Sequence, residues 1–153
     1  MSETWKALDD SRYEVSDLGR VRKNGELKNL TKDKDGYMTT RINRKFKKVH
    51  RLVLKTFKPN PMPSFYDRVD HINQKKWDNR LENLRWSNST LNNWNSDKHK
   101  GYKKSKSGKY EARIGIEGKL IHLGTFATVA AAKARYLEAI ADAREVYDPY
   151  TIY

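Results

Sequence analysis

An acid and a histidine stand side by side at Asp70 and His71. Asn83 follows within N-L-R-W, then Asn92 and Asn93 within L-N-N. Together these side chains offer a carboxylate, an imidazole and several amide oxygens. Carboxylate and amide oxygens are hard donors that suit Mg²⁺ or Mn²⁺. A neutral imidazole near pH 7 accepts a proton. Brought to one point, the set could hold a metal ion and move a proton. Taken singly, Asp70-His71 is a turn pair and the asparagines are caps. The spacing of N-L-R-W and the downstream asparagine favour the site.

The segments around these residues must position them. Residues 69–72 form a short apolar-flanked run that predicts a strand end, and residues 73–79 are polar and turn-like. Leu81, Leu84 and Trp86 supply a second short element. Ser87 or Ser89 is the expected cap of a helix over residues 90–98. Leu91 and Trp94, three apart, would pack inward on it. Upstream, residues 47–58 show helical spacing in Val49, Leu52, Val53 and Phe57, and Pro59, Pro61 and Pro63 end that helix. His50 lies next to its apolar stripe, where a packing or hydrogen-bonding role is expected rather than a catalytic one.

D-H-I-N, N-L-R-W and L-N-N resemble the HNH motif of the intron-encoded homing endonucleases of phages, a ββα-metal nuclease fold. V-H-R-L-V-L-K-T-F is similar to the helix that precedes the catalytic pair in that family. The resemblance implies that Asp70 is a metal ligand and His71 the general base. It implies that Asn83 braces the loop through its side chain. Asn92 matches the helix ligand by its distance from N-L-R-W, with Asn93 as the alternative. Asp70 replaces the first His of the motif and Asn92 the last, a substitution common in this branch. The chemistry is coherent, since a divalent ion neutralises charge on a phosphodiester while a histidine deprotonates the attacking water. Lys75, Lys76 and Arg80 in the loop are candidate phosphate contacts.

The chain of 153 residues carries 32 basic and 19 acidic residues, a net charge of +13 that points to a polyanionic partner. Basic residues are interleaved with Tyr and Trp, which favours folded nucleic-acid-binding surfaces over a disordered arm. There is no cysteine, so disulfides and Cys-ligated zinc are excluded. No apolar run reaches membrane-spanning length, and M-S-E-T-W-K does not read as a signal peptide. The expectation is a soluble cytoplasmic protein, in the host cell if the gene is phage-borne.

Residues 1–46 read as β-structure. Tyr13 to Ser16 is a strand pattern, Asp17-Leu18-Gly19 a turn, and Asn24-Gly25 a hairpin turn. W…Y-E-V-S-D-L-G-R-V-R is similar to a small module at the N-terminus of many HNH homing endonucleases. Arg20 and Arg22 are its candidate DNA contacts.

Residues 97–101 look like a junction. Beyond them, Tyr110, Ala112, Ile114 and Ile116 alternate with polar residues or glycine, and Ile121 and Leu123 read as a second apolar face. A first strand is expected over residues 102–105. Thr128 should cap a helix over residues 129–146 with Val129, Ala132, Tyr136, Leu137, Ile140 and Ala143 as its stripe. G-Y-K-K, S-G-K-Y-E-A-R-I and L-G-T-F followed by an alanine-rich helix are similar to the APETALA/ethylene-response DNA-binding domain. That resemblance implies a sheet lying in the DNA major groove. Its candidate contacts are Lys103, Lys104, Lys106, Lys109, Arg113, Lys119 and His122. The base-reading code does not carry over, because His122 and Gly115 depart from the family's usual residues.

The expected fold class is α+β and modular. Residues 1–46 form a β module, 47–97 an HNH (ββα-metal) nuclease domain, and 98–153 a three-stranded antiparallel sheet with one packed helix. The expected activity is metal-dependent hydrolysis of phosphodiesters in double-stranded DNA at a specific site, as in a phage homing endonuclease. An HNH restriction endonuclease and a non-catalytic DNA-binding regulator are the alternatives. Beyond Mg²⁺ or Mn²⁺ no cofactor is expected, and a monomer is favoured.

Overall fold

The computed structural model describes residues 2–148, so Met1 and residues 149–153 at the ends of the outer predicted modules lie outside the described residues. The chain divides into two compact units, Met1–Asn88 and Ser89–Tyr153.

The first unit opens with four short antiparallel strands in sequential order: β1 (Trp5–Ala7), β2 (Tyr13–Ser16), β3 (Val21–Lys23) and β4 (Glu26–Leu27). Asn24 and Gly25 turn β3 into β4 with φ of 49° and 84°, the left-handed pair that a tight hairpin needs. A second antiparallel sheet follows, made of β5 (Thr31–Lys32), β6 (Met38–Ile42) and β7 (Lys45–Lys48). The turn between β6 and β7 uses Asn43 and Arg44 at φ of 47° and 65°. An arginine there gives no turn signal, so this hairpin was not legible. For the same reason the expected helix over 47–58 starts late. Lys47 and Lys48 pair in β7, and α1 spans Val49–Phe57.

β8 (Arg68–His71), a 3-10 turn (Leu81–Asn83) and β9 (Leu84–Ser87) complete the unit. Val15 and Val21 from the first sheet, Val49, Val53 and Leu54 from α1, and Leu84 from β9 form one buried core. Burying each such side chain contributes roughly 1.5–3 kcal/mol. Residues on both sides of position 46 therefore share a core.

The second unit begins with α2 (Ser89–Trp94), on which Leu91 and Trp94 are buried. The helix is shorter than the expected 90–98. Asn95, Ser96 and Asp97 favour local turns over helix, and Lys98 N–H donates to Ser96 Oγ. Ser87 is not the cap: it belongs to β9 and its hydroxyl donates to Asn88 O. Strands β10 (Tyr102–Lys104), β11 (Tyr110–Ile116) and β12 (Lys119–Phe126) make an antiparallel sheet, with α3 (Val129–Tyr147) packed on it. Thr128 Oγ1 accepts from Ala131 N–H as the N-cap. The buried stripe of α3 is Ala132, Tyr136, Ala139 and Ile140, while Leu137 and Val129 are exposed, contrary to the sequence reading. Ile121 is exposed too, although it pairs with the buried Ile114. Gly101, at φ 73°, lies so close to Tyr136 that any Cβ there would overlap the ring.

Candidate active site

Asp70 and His71 are the last two residues of β8, and both are buried. The register of β8 and β9 sets Asp70 opposite Arg85 and His71 opposite Leu84. Arg85 Nε and Nη2 both donate to Asp70 Oδ2, at 3.0 and 2.8 Å. A charge placed in so dry a position requires a partner, and the facing strand supplies it.

His71 is oriented from the loop. Its Nε2 lies 3.0 Å from Asn79 Oδ1, and Asn79 is itself buried. An amide oxygen only accepts, so Nε2 carries the proton. The lone pair of the neutral ring is then on Nδ1. Burial pushes His71 below the usual histidine range, against the pull of the Asn79 bond and the Asp70 charge. The imidazole is therefore uncharged at neutral pH, the state a general base requires.

Asn83 ties the loop together. Its Oδ1 accepts from Asn73 N–H at 2.9 Å, and its Nδ2 donates to Asn73 Oδ1 at 2.9 Å and to Asp78 O at 2.8 Å. The loop is also anchored to the first sheet. Leu81 N–H donates to Asp17 O at 2.7 Å. Gly19, at φ 82°, leaves only enough room for the backbone of Asn79: a Cβ would meet Asn79 O and Cβ at 2.8 Å. The turn Asp17-Leu18-Gly19 thus sets the height of Asn79 and, through it, of His71.

Arg85 and Asn79 escaped the sequence reading. The signal for Arg85 was present: a lone base on one short strand faces a lone acid on the other. Asn79 carries no such signal, since nothing in a polar loop says which amide turns inward.

The remaining candidates fall into two groups. The arginines are already paired: Arg20 with Glu3, Arg22 with Glu14, Arg80 with Asp78 and Glu82, and Arg113 with Glu111. Lys76 Nζ donates to Asp35 O at 2.7 Å. Lys75, Lys103, Lys104, Lys106, Lys109, Lys119 and His122 are exposed. In the second unit, Asn92 is half-buried and Asn93 exposed on α2.

Among the described residues, no three of His, Cys, Asp and Glu form a ready-made metal cluster. The donor chemistry at Asp70 is a single carboxylate, with Arg85 drawn to one of its two oxygens. Such a donor fits a hard cation that keeps most of its waters and takes a substrate phosphate as a ligand.

Comparison with known proteins gives a consistent picture. Residues 47–93 match the HNH endonuclease family model, and residues 3–43 match the NUMOD4 motif. Two uncharacterized HNH endonucleases of Acanthamoeba polyphaga mimivirus, L247 and L245, are 37% and 36% identical to the chain over 100 and 95 residues. Those stretches are 60% and 58% of this chain but 25% and 28% of the relatives, so the chain spans about a quarter of the proteins it matches. The fold is similar to that in a solved structure described as DNA binding and cleavage by the HNH homing endonuclease I-HmuI. The TM-score is 0.53 at 23% identity, over 94% of this chain and 91% of that one.

Proposed function

We propose that the chain is a metal-dependent HNH endonuclease that hydrolyses phosphodiester bonds in duplex DNA, in the manner of a homing endonuclease. The observation that carries this reading is His71: a buried, uncharged imidazole whose proton is fixed on Nε2 by Asn79, beside a buried carboxylate. It falls within the stretch that matches the HNH family model.

In this reading His71 Nδ1 takes the proton from the attacking water. Asn79 keeps the ring in that tautomer, and Asn83 keeps the loop closed beneath it. Asp70 is a ligand of the metal ion. Asn92 is the second ligand by its place after N-L-R-W in the sequence. A bound Mg²⁺ or Mn²⁺ supplies charge neutralisation at the phosphate. Arg85 holds Asp70 aimed through two hydrogen bonds without a metal, so the ligand's orientation does not depend on the ion.

DNA is held by exposed lysines rather than by the paired arginines. Lys75 in the loop and Lys103, Lys104, Lys106, Lys109 and Lys119 on the second unit have ammonium groups to offer to phosphates. The β10–β12 sheet with α3 is the APETALA-like element of this reading, and residues 98–153 are its DNA-binding module. The boundaries 1–46, 47–97 and 98–153 belong to the same proposal.

Metal titration of cleavage on a supercoiled plasmid tests the ligands. Asp70→Ala and Asn92→Ala should raise the Mg²⁺ concentration needed and lower the rate, with Asn93→Ala near wild type. A silent Asn92→Ala beside a damaging Asn93→Ala moves the ligand by one residue. A folded chain that binds DNA and never nicks it, at any Mg²⁺ or Mn²⁺ concentration, leaves the DNA-binding regulator as the reading.

A further inference from the structure

The loop that follows His71 turns two large apolar side chains to solvent: Trp77 is 59% exposed and Ile72 45%. Nothing in the folding of the first unit calls for an indole there. The loop is not slack. Asn73 Nδ2 donates to Asp78 Oδ2 at 2.7 Å, Lys75 N–H to Asn73 Oδ1 at 2.9 Å and Asp78 N–H to Lys75 O at 3.0 Å. A tryptophan held outward on a fixed backbone loses little further freedom when a partner stacks on it.

Its neighbours are cations. Lys32 Nζ lies 5.6 Å from the centre of the Trp77 ring, and Lys75 and Lys76 directly precede it in the chain. Lys32 and Lys75 are exposed. The loop's carboxylate, Asp78, is matched by Arg80 at 2.8 Å. An exposed indole rimmed by ammonium groups fits a nucleotide, which offers a flat π face to the ring and phosphates to the lysines. The loop also belongs to the candidate site. Asn79 Nδ2 donates to Trp77 O at 3.4 Å, and Oδ1 of the same side chain lies 3.0 Å from His71 Nε2. What stacks on Trp77 therefore lies beside the phosphodiester presented to His71.

We infer that Trp77 is a stacking wedge: its indole enters the bound duplex beside the scissile phosphate and stacks on a base there, while Lys32 and Lys75 hold the flanking phosphates. The inference rests on the reading of this site as a DNA endonuclease centre. Opening a base step is costly in a paired duplex and least costly at a mismatch. A wedge therefore gives the protein a preference for mismatched over fully paired DNA. Stacking displaces no counterions, so it adds affinity without changing the salt dependence.

The test compares wild type with Trp77→Phe, which keeps a ring, and Trp77→Ala, which removes it. The probes are a short duplex and the same duplex with one mismatch, and nicking of a supercoiled plasmid is followed on the same proteins. All three proteins should melt alike, because the side chain lies mostly in solvent. Tryptophan fluorescence of wild type should be quenched when DNA binds. Trp77→Phe should keep the affinity and lose the quench. Trp77→Ala should bind about fivefold more weakly or worse, the worth of stacking on one base, and lose the mismatch preference. Its salt slope should match wild type. Wild-type affinity and mismatch preference in Trp77→Ala overturn the inference. So does a quench that persists in Trp77→Phe, since it would belong to another tryptophan. A shallower salt slope in Trp77→Ala also overturns it, because the loss would then come from displaced lysines. If wild type shows the quench and the mismatch preference but never nicks, the endonuclease reading fails and the wedge stands. If wild type nicks and the three proteins bind alike, the wedge fails and the endonuclease reading stands.

Discussion

Replacing Arg85 by Met should destabilise the first unit severely, and the structure sets the scale. The Arg85 and Asp70 side chains are 13% and 7% exposed, and two charge-assisted hydrogen bonds converge on one carboxylate oxygen. Without the guanidinium the carboxylate remains in a dry site with its main partner gone. Breaking a buried pair from one side costs about 3–5 kcal/mol. At a urea slope of roughly 1–2 kcal/mol per M, a loss of about 3 kcal/mol moves the unfolding midpoint by about 1.5–3 M. The assay is urea unfolding of wild type, Arg85→Met, Asp70→Asn and the double variant. The double variant should be far more stable than the sum of the single losses implies, with a coupling of about 2 kcal/mol or more. A coupling under about 0.5 kcal/mol refutes the reasoning, because the pair would then behave like a solvated surface contact.

Other outcomes follow from the same geometry. Gly19→Ala should shift Asn79 and slow cleavage while DNA affinity holds, because its Cβ would meet the Asn79 backbone at 2.8 Å. Wild-type melting and cutting by that variant would remove Gly19 from the account. Burial pushes His50 down to about 3 in the folded chain, below its ordinary value of 6.5. The unfolded chain therefore binds the extra proton first. The contribution of His50 to stability is complete above pH 6.5 and is lost at about 1.4 kcal/mol per unit as pH falls toward 3. His50→Phe should flatten that part of the stability–pH curve, and an unchanged curve would contradict it. DNA binding should weaken steeply with salt, each lysine–phosphate contact adding about 0.9 to the log–log slope. Substituting Lys103, Lys104 and Lys106 by Ala should reduce that slope, and a flat titration of wild type would argue against the lysine surface.

The sequence made some of this visible. The Asn24-Gly25 hairpin, the core stripe of α1 and the Thr128 cap each rest on a local rule that tertiary structure did not override. The misses have physical causes. Asn43-Arg44 puts an arginine at the second left-handed position of the turn, where glycine is the usual signal, which hid β7 inside an expected helix. Leu137 sits on the outer face of α3, because the side turned to the sheet is the one carrying Ala132, Tyr136, Ala139 and Ile140. At the site, Asp70, His71 and Asn83 stood out by residue type, and what surrounds them did not. Arg85 meets Asp70 only once strand register is known, and Asn79 reaches His71 only because Gly19 makes room. His50 looked like a packing residue, and only the placed rings show what it packs against.

The central claim is that His71 is the base of a metal-dependent endonuclease. The most direct measurement is single-turnover cleavage of duplex DNA by wild type and His71→Ala, with Mg²⁺ and with a chelator, alongside DNA binding by the same two proteins. The account predicts cleavage by wild type only with Mg²⁺, equal binding by both proteins, and a rate at least about a hundredfold lower for His71→Ala. Cleavage by His71→Ala at the wild-type rate, or wild-type cleavage undiminished by the chelator, would contradict it.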